Sequence, residues 1–484
     1  MGLTARYRDE SNHYLYTVGS DGTHELLRFF HGRREVLAEK KLPIRADQSH
    51  ELFFRVDDSV LSAGIDGQNC FEEWDSSIPS GRAGLYASRT SRAEFDNVSG
   101  TMAQRGEPVL TTNEVFEHEK TMANWSSPLR DWLTATESVG NETYQTNWHR
   151  ADFPGDVEIS AKLEAAPPEG SDIRLVVCAD KQGLSSGYSM SIRNTGRLTL
   201  ELMREGQPVA SKNIQAAKPG RFSLKRKGAF VIGLINFEPV VRFKDDAPLD
   251  GITAGVAHRG VKVPPDSVEV YCPNVHVYTF ARAGSDWRAA GGAWQVASRW
   301  QCDPRWSFFS GVSKQDAVLW SKRVLRGDVT LEFAAGIKMD NTRGGRYEYA
   351  SDINATICAD GKDLTSGYSF MFGGWNNTCT RIMRGETSAA ESKSSVIPNK
   401  QDIHRRWFYI KIRKRGSKLQ YYVDNRLVLE FDDGKPLEGN RLAIWTHNNG
   451  IMVAKVRVSC ANNGRKESPD FKSPAKAGSP YTTP

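Results

Sequence analysis

The stretch Trp407-Phe408-Tyr409-Ile410-Lys411-Ile412-Arg413 alternates apolar with polar side chains over most of its length, which is typical of a half-buried β-strand. Two further runs of this kind, residues 419–423 and 427–431, lie on either side of Asp424-Asn425, where the chain is expected to turn back on itself. Short runs separated by turn residues recur along the chain, and long amphipathic helical patterns do not. The sequence therefore predicts an all-β protein made of antiparallel β-sandwich domains.

A set of short sequence blocks occurs twice in the same order. Cys178-Ala179-Asp180 followed by Gly187-Tyr188-Ser189 returns as Cys358-Ala359-Asp360 followed by Gly367-Tyr368-Ser369. Each set is preceded by a pair of tryptophans and followed by a Pro-Leu-acid-Gly loop: Trp125/Trp132 and Pro248–Gly251, then Trp287/Trp294 and Pro436–Gly439. Because order and approximate spacing are both kept, these blocks indicate tandem copies of one domain.

The N-terminal residues contain only the later half of this pattern. Asn12-His13-Tyr14-Leu15-Tyr16 takes the place of the Gly-Tyr-Ser block, and Trp74-Asp75-Ser76-Ser77-Ile78-Pro79-Ser80-Gly81 takes the place of the loop. We expect that the first copy lacks its N-terminal strands and that the true start lies upstream, or that the chain is a fragment of a longer one. The predicted organisation is a partial sandwich over 1–105, complete sandwiches over 106–280 and 281–462, and a disordered tail over 463–484.

Several segments resemble the concanavalin A-like lectin/glucanase superfamily, especially its laminin G-like bacterial modules. They are Ala5-Arg6-Tyr7-Arg8-Asp9, Gly81-Arg82-Ala83-Gly84-Leu85-Tyr86-Ala87, Ala93-Glu94-Phe95-Asp96-Asn97-Val98 and the closing strands from Trp407 to Trp445. The resemblance covers nearly the whole chain except the tail. It implies a jelly roll of two sheets, a ligand on the concave face or its rim, and an extracellular or cell-envelope location, although the first residues do not form a signal peptide.

The family fold hosts lectins, glycanases and protein-binding modules, so the activity must be inferred from particular residues. Glycanases of this family resemble one another in a strand motif Glu-x-Asp-x-(x)-Glu, whose carboxylates act on the glycosidic bond. Glu94-Phe95-Asp96 and Glu430-Phe431-Asp432 both lack the third carboxylate. The Gly-Tyr step is similar to one in 3-keto-disaccharide hydrolases, but a tyrosine on an alternating strand is usually a core residue. The chain is therefore predicted to be non-catalytic, with a glycoside-processing enzyme and a structural or protein-binding spacer as alternatives.

Two clusters of aromatic and amide residues in the third copy form the candidate ligand site. Flat aromatic rings stack on the C–H faces of sugars, while amides bind the hydroxyls, so we assign to the site Trp375, Asn376, Asn377, Trp445, His447 and Asn448. The alternative is that both tryptophans fill the core and the asparagines make turns. The second copy has Arg193-Asn194-Thr195-Gly196 and Ala257-His258-Arg259-Gly260 at these positions and so lacks both clusters. We therefore expect the site to lie in the third copy.

Three other features have a structural and a functional interpretation. The recurring tryptophan pairs are expected to pack in the cores. The loops Asp245-Asp246 and Asp432-Asp433 suggest calcium ligands, but calcium needs six to eight oxygens, and solvated turns are the better interpretation. A cluster of basic residues indicates either a solvated sheet face or a site for an anionic glycan: Arg405, Arg406, Lys411, Arg413, Lys414, Arg415 and Lys418.

Composition excludes several classes of protein. The 484 residues include 39% hydrophobic residues and 12 tryptophans, enough for several cores. A net charge of +6 from 64 basic and 58 acidic residues is too dilute for a nucleic-acid binder, and no apolar run reaches the roughly 18 residues of a membrane span. The seven cysteines lack the Cys-x-x-Cys spacing of a zinc site, and no cofactor is expected. The expected partner is a polysaccharide or glycoconjugate, with an anionic one as a variant.

Overall fold

The structure is a computed structural model, and it describes residues 1–45, 48–57, 59–88, 93–100, 131–180, 182–214, 220–278, 280, 286–298, 307–338, 351–398, 406–464 and 479–481. These residues form two compact units. One unit contains Met1–Gly106 with the short segments Lys227–Phe230 and Lys244–Pro248, and the other contains the remainder. Nearly all regular structure is β-strand in antiparallel sheets, which confirms the predicted all-β sandwich class.

The strands fall into three successive stretches. The first contains β1 (Gly2–Asp9), β2 (Asn12–Val18), β3 (Thr23–Phe30), β4 (Arg33–Lys41), β5 (Leu52–Asp57), β6 (Val60–Ile65), β7 (Gln68–Trp74) and β8 (Arg82–Tyr86). The second contains β9 (Trp132–Val139), β10 (Glu142–His149), β11 (Val157–Leu163), β12 (Asp172–Ala179), β13 (Tyr188–Asn194), β14 (Leu198–Arg204), β15 (Gln207–Ile214), β16 (Gly220–Lys227), β17 (Phe230–Ile235), β18 (Glu238–Lys244), β19 (Thr253–Arg259), β20 (Val268–Tyr271) and β21 (Val275–Tyr278).

The third stretch contains β22 (Trp287–Gly291), β23 (Ala293–Ser298), β24 (Ser307–Val312), β25 (Asp316–Ser321), β26 (Val324–Arg326), β27 (Val329–Ile337), β28 (Ile353–Ala359), β29 (Tyr368–Gly373), β30 (Cys379–Arg384), β31 (Thr387–Ser392), β32 (Phe408–Arg415), β33 (Lys418–Val423), β34 (Arg426–Asp432), β35 (Arg441–His447), β36 (Gly450–Ser459) and β37 (Asn462–Gly464). Short 3-10 turns occur at Pro265–Ser267 and Leu364–Ser366, and a four-residue turn, α1, at Gly374–Asn377.

The second and third stretches have matching strand orders. One sheet of the second stretch runs β15-β14-β13-β12-β19-β10-β9, and its counterpart in the third runs β31-β30-β29-β28-β35-β25-β22. The other sheets run β18-β17-β16-β11-β20 and β34-β33-β32-β27-β36-β24-β23. In the first stretch, β4-β3-β2-β1-β8 and β5-β6-β7 correspond to part of each order. β21 pairs with β36, so a strand that the predicted boundary at 280 assigned to the second domain lies in a sheet of the third.

One tyrosine contact occurs in all three stretches. Its hydroxyl accepts the N–H of a residue in the loop that follows the last hairpin, in the pairs Tyr14/Ile78 (3.1 Å), Tyr188/Leu249 (2.9 Å) and Tyr368/Leu437 (2.8 Å). In the same loop an aspartate accepts the N–H two residues further on, in the pairs Asp75/Ser77, Asp245/Ala247 and Asp433/Lys435. The Gly-Tyr tyrosines therefore hold a loop in place, and one aspartate of each acidic loop is used in its own turn.

The cores follow the alternation seen in the sequence. Phe408, Ile410 and Ile412 lie in the core of the third stretch, each essentially inaccessible to solvent. Trp132 and Trp287 are buried in the cores of the second and third stretches, as expected of a packing role, while Trp125 lies outside the described residues. The positive φ angles of Asp424 and Asn425, 51° and 64°, confirm the tight turn between β33 and β34.

The polar face of β32 is buried against the second stretch. Asp152 accepts hydrogen bonds from Lys411 Nζ and from two guanidinium nitrogens of Arg413, all at 2.7 Å. Asp131 likewise accepts from Lys455 and Arg457 on β36, at 2.7 and 2.8 Å. Two cations of the predicted basic cluster are therefore neither on a solvated face nor available to an anionic glycan.

Candidate functional site

One face of the sheet β31-β30-β29-β28-β35-β25-β22 points away from the core, and we call it the outer face. Alternate residues of β28 divide between the two sides: Ile353, Ala355 and Ile357 enter the core, whereas Asn354 and Thr356 belong to the outer face. A second apolar cluster covers the outer face: Val318, Trp320, Ala359, Leu364, Met371, Met383, Ala443 and Trp445, with Trp375 and Tyr481 packed against it. The sheet thus buries apolar side chains on both sides.

Trp375 lies on an unusual turn at the edge of the outer face. Trp375, Asn376 and Asn377 have φ angles of 50°, 56° and 62°, a left-handed conformation that asparagine tolerates but that costs a bulky residue such as Trp375 about 1–3 kcal/mol. The side chain of Asn377 secures the turn, because it donates to the carbonyl of Ile397 (2.7 Å) and accepts its N–H (2.9 Å). The guanidinium of Arg381 lies 4.1 Å from the centre of the Trp375 ring. The half-buried indole is therefore held by local contacts and by packing against the apolar cluster of the outer face.

A buried carboxylate, Asp352, and this indole both contact Tyr481. The carboxylate accepts hydrogen bonds from Asn354 Nδ2 (2.9 Å), Thr446 Oγ1 (2.8 Å), the N–H of His447 and the hydroxyl of Tyr481 (2.8 Å). Burial raises the pKa of the Asp352 carboxyl, and these hydrogen bonds only partly offset that effect. Asn354 Oδ1 is buried with no hydrogen-bond partner among the described residues. The outer face thus combines an indole, a carboxylate and a buried acceptor.

His447 and Asp316 form a hydrogen-bonded pair on the same face. His447 Nδ1 lies 2.7 Å from Asp316 Oδ1, and both side chains are partly exposed. The bond to Asp316 raises the pKa of the His447 imidazole, against a smaller lowering by burial, and the charge of Asp352 acts in the same direction as Asp316.

We expect His447 to titrate above the ordinary histidine pKa of about 6.5 in an NMR titration of its ring, and Asp316→Asn to lower that pKa. Because the folded-state pKa is raised, the pair's contribution to stability is complete below the unfolded pKa and is lost as pH rises through the folded pKa. His258, whose pKa is lowered by burial, provides the control and should not respond. An unchanged His447 pKa in the Asp316→Asn variant would refute the pairing.

The structure brings together three of the six residues predicted for the site. Trp375 and His447 are partly exposed on the outer face, and Trp445 lies on the same face but is fully buried, with its Nε1 donating to Thr356 Oγ1 (2.9 Å). Asn376 is exposed next to Trp375, whereas the side chain of Asn377 is hydrogen-bonded to the backbone of Ile397. Asn448 is exposed with a φ of 48° in the turn between β35 and β36. Trp445 and Asn377 therefore fit the alternative in which the tryptophans are core residues and the asparagines make turns.

Sequence reasoning missed four contributors to the outer face: Asp316, Asp352, Asn354 and Tyr481. Asp352 was detectable in principle, because it lies six residues before Cys358 just as Asp172 lies before Cys178. Tyr481 falls in the tail that was predicted to be disordered. Within that tail, Ser479 and Pro480 are buried and the Tyr481 ring contacts three aromatic rings.

The corresponding face of the second stretch is occupied by its own charged side chains. Asp172 accepts hydrogen bonds from Tyr144 (2.7 Å), Ser191 (2.7 Å) and Arg174 (3.2 Å). Ala257 and Arg259 take the register positions that Trp445 and His447 hold in the third stretch. Its apolar cluster contains Tyr144 and Trp148, both buried. The third stretch therefore remains the stronger candidate.

Within the described ranges, the structure contains no group of three or more histidine, cysteine, aspartate or glutamate side chains placed to hold a metal ion. No helix in the described part of the chain has the length and apolarity needed to cross a bilayer.

Comparison with known proteins gives only structural similarities. No protein-family model and no curated protein matches the chain. A carbohydrate-binding module, CBM66 from Bacillus subtilis, is 21% identical over 36% of this chain and 95% of its own, with a TM-score of 0.28. A Bacillus subtilis protein of unknown function with a galectin-like fold is 13% identical over 36% of this chain and 89% of its own (TM-score 0.27). The cellulose-induced protein Cip1 is 8% identical over 38% and 91% (TM-score 0.26). At these TM-scores the similarities carry no weight for function.

Proposed function

We propose that the third stretch binds carbohydrate on its outer face, around Trp375, without catalysing a reaction on it. The observation that carries the proposal is that the left-handed turn places the half-buried Trp375 indole on the outer face, where Trp375, His447 and Asp352 all contact Tyr481 and Asn354 donates to Asp352. An indole face suits the C–H face of a sugar ring, and a carboxylate, an amide and an imidazole bind its hydroxyls.

The wider context is also inferred. We take the three stretches as tandem modules of a concanavalin A-like, laminin G-like kind, the first of them partial, on the strength of the repeated tyrosine contact and the matching strand orders. Modules of this kind suit an adhesive segment of a larger secreted or envelope-associated protein. The ligand is a polysaccharide or glycoconjugate.

The proposal is tested by screening the whole chain on a glycan array and measuring the best ligand by titration calorimetry. We expect Trp375→Ala to raise the Kd at least about tenfold, because a stacked indole contributes more than about 1.4 kcal/mol. Phe237→Ala is the matched control, since Phe237 is an aromatic residue of the second stretch that is 67% exposed. Equal affinity of the Trp375→Ala and Phe237→Ala variants would show that Trp375 is not part of a carbohydrate-binding site. Absence of any glycan ligand would instead support a structural or protein-binding spacer.

The raised pKa of Asp352 favours one alternative, a glycoside-processing enzyme, because burial that raises the pKa of a carboxyl is a feature of general acids in such enzymes. Incubation with candidate polysaccharides and disaccharides distinguishes the two functions. Turnover that Asp352→Asn abolishes would establish the enzyme, whereas binding without turnover supports the carbohydrate-binding module.

A further inference from the structure

We propose that the C-terminal segment Ser479–Tyr481 is a tethered competitor for the outer face, so that this segment and a carbohydrate bind there alternately. The inference rests on the proposed function and adds a mode of regulation to the same site. It concerns only these three residues of the tail and the side chains that they contact.

Tyr481 contacts the groups that would hold a sugar ring. Its ring centroid lies 4.4 Å from that of His447 in a stacked arrangement and 4.9 Å from that of Trp375. Its hydroxyl donates to Asp352 Oδ2 at 2.8 Å. A carbohydrate cannot reach the Trp375 indole and the Asp352 carboxylate in these positions while the Tyr481 ring lies between them.

The phenol supplies the two features that the site is proposed to recognise, a flat ring and a hydroxyl donor. Burial raises the pKa of the Tyr481 hydroxyl, and the Asp352 carboxylate raises it further, so the phenol stays neutral and continues to donate. Tyr481 thereby satisfies a buried carboxylate that would otherwise lack one of its donors.

The second stretch shows how the same position is filled permanently. There the donor to Asp172 is Tyr144, a residue of β10 within the same sheet. In the third stretch the register position of Tyr144 is taken by Asp316, which lies opposite His447 as Tyr144 lies opposite Arg259. The phenol that donates to the carboxylate therefore comes from Tyr481 instead. A donor built into a strand leaves only on unfolding, whereas a donor outside the strands, such as Tyr481, can leave while the sheet remains intact.

A tethered competitor lowers the apparent affinity without changing the contacts of the ligand. Because the segment belongs to the same chain, its binding is intramolecular, and the apparent Kd of the carbohydrate is the intrinsic Kd divided by the fraction of faces that the segment leaves open. With about nine faces in ten occupied by the segment, its removal should tighten binding about tenfold.

The test is calorimetry of the whole chain and its Tyr481→Ala and Tyr481→Phe variants with the best array ligand. We expect the Kd of Tyr481→Ala to fall about tenfold, that of Tyr481→Phe to fall less because its ring remains, and that of Phe237→Ala to stay unchanged. A synthetic peptide Ala-Gly-Ser-Pro-Tyr-Thr-Thr-Pro, which copies residues 477–484, should compete with the carbohydrate for the Tyr481→Ala variant.

The outcomes separate this inference from the proposed function. If Tyr481→Ala binds no tighter than the unaltered chain while Trp375→Ala binds about tenfold more weakly, the face binds carbohydrate and the competitor model is overturned. If the Trp375→Ala/Tyr481→Ala double variant binds as well as Tyr481→Ala, the ligand lies elsewhere and both proposals fail. Absence of binding by every variant, Tyr481→Ala included, also overturns both.

Discussion

Replacement of Asp152 by alanine is expected to lower the free energy of unfolding by about 3–5 kcal/mol, because it leaves the buried Lys411 and the partly buried Arg413 without their counter-ion. Asp152 is buried and accepts hydrogen bonds from Lys411, Arg413 and the hydroxyl of Thr330, each at 2.7 Å. Burial alone would raise the pKa of the Asp152 carboxyl, but the two cations outweigh it and hold the pKa below its usual range. The measurement is the urea midpoint of the whole chain, followed by tryptophan fluorescence.

A neighbouring ion pair provides a matched control. Asp250 and Arg415 lie 3.8 Å apart, but the Asp250 side chain is 92% exposed, so Asp250→Ala should change stability by less than about 1 kcal/mol. Adding Lys411→Met to the Asp152→Ala variant should recover part of the loss, because it removes one of the unpaired charges. If Asp152→Ala is as mild as Asp250→Ala, the buried contact is not formed.

The same carboxylate has a defined pH dependence. Its folded-state pKa is depressed, so its contribution to stability is present above the unfolded pKa of about 3.9 and is lost as pH falls through the folded pKa. The stability difference between the unaltered chain and the Asp152→Ala variant should therefore shrink below about pH 4.

Replacement of Trp445 by alanine is expected to cost about 3–5 kcal/mol of stability, as removal of a fully buried indole usually does. Trp445 packs in the outer-face cluster and donates its Nε1 hydrogen to Thr356. The variant would lose packing and leave a buried hydroxyl without one of its partners. Thermal unfolding of the whole chain measures the loss, and Trp375→Ala, which changes a half-buried indole on the same face, is the comparison.

The two variants distinguish a buried residue that stabilises the fold from a residue that contacts the ligand. We expect Trp445→Ala to reduce stability strongly and Trp375→Ala to reduce ligand affinity with a smaller effect on stability. A Trp445→Ala variant of normal stability that no longer binds carbohydrate would contradict this assignment and support direct contact between Trp445 and the ligand.

Much of the fold was predictable from local patterns. Strand alternation identified Phe408, Ile410 and Ile412 as core residues, and the repeated blocks aligned Tyr188 with Tyr368, whose hydroxyls make the same contact. These signals succeed because they depend on neighbours in the same hairpin or sheet. The pairing of β21 with β36 depends on a distant strand, and the boundary inferred from the repeats did not reveal it.

The candidate site was less predictable, for physical reasons. Alternation shows that Trp445 and Ile444 face opposite sides of a sheet, but it does not show that both sides are covered. The basic side chains of Lys411 and Arg413 are both paired with Asp152, which lies far away in the sequence. Tyr481 lies in a stretch whose composition favours disorder, and only its contacts with Trp375 and Asp352 give it a role.

The position of a bound oligosaccharide in a crystal of the Tyr481→Ala variant tests the central claim most directly. We expect one sugar ring to pack on the Trp375 indole, with hydroxyls bound to Asp352, Asn354 or His447. A sugar bound only on the second stretch, or a Trp375 face left free of sugar at saturating ligand, would contradict the assignment of the outer face as the carbohydrate-binding site.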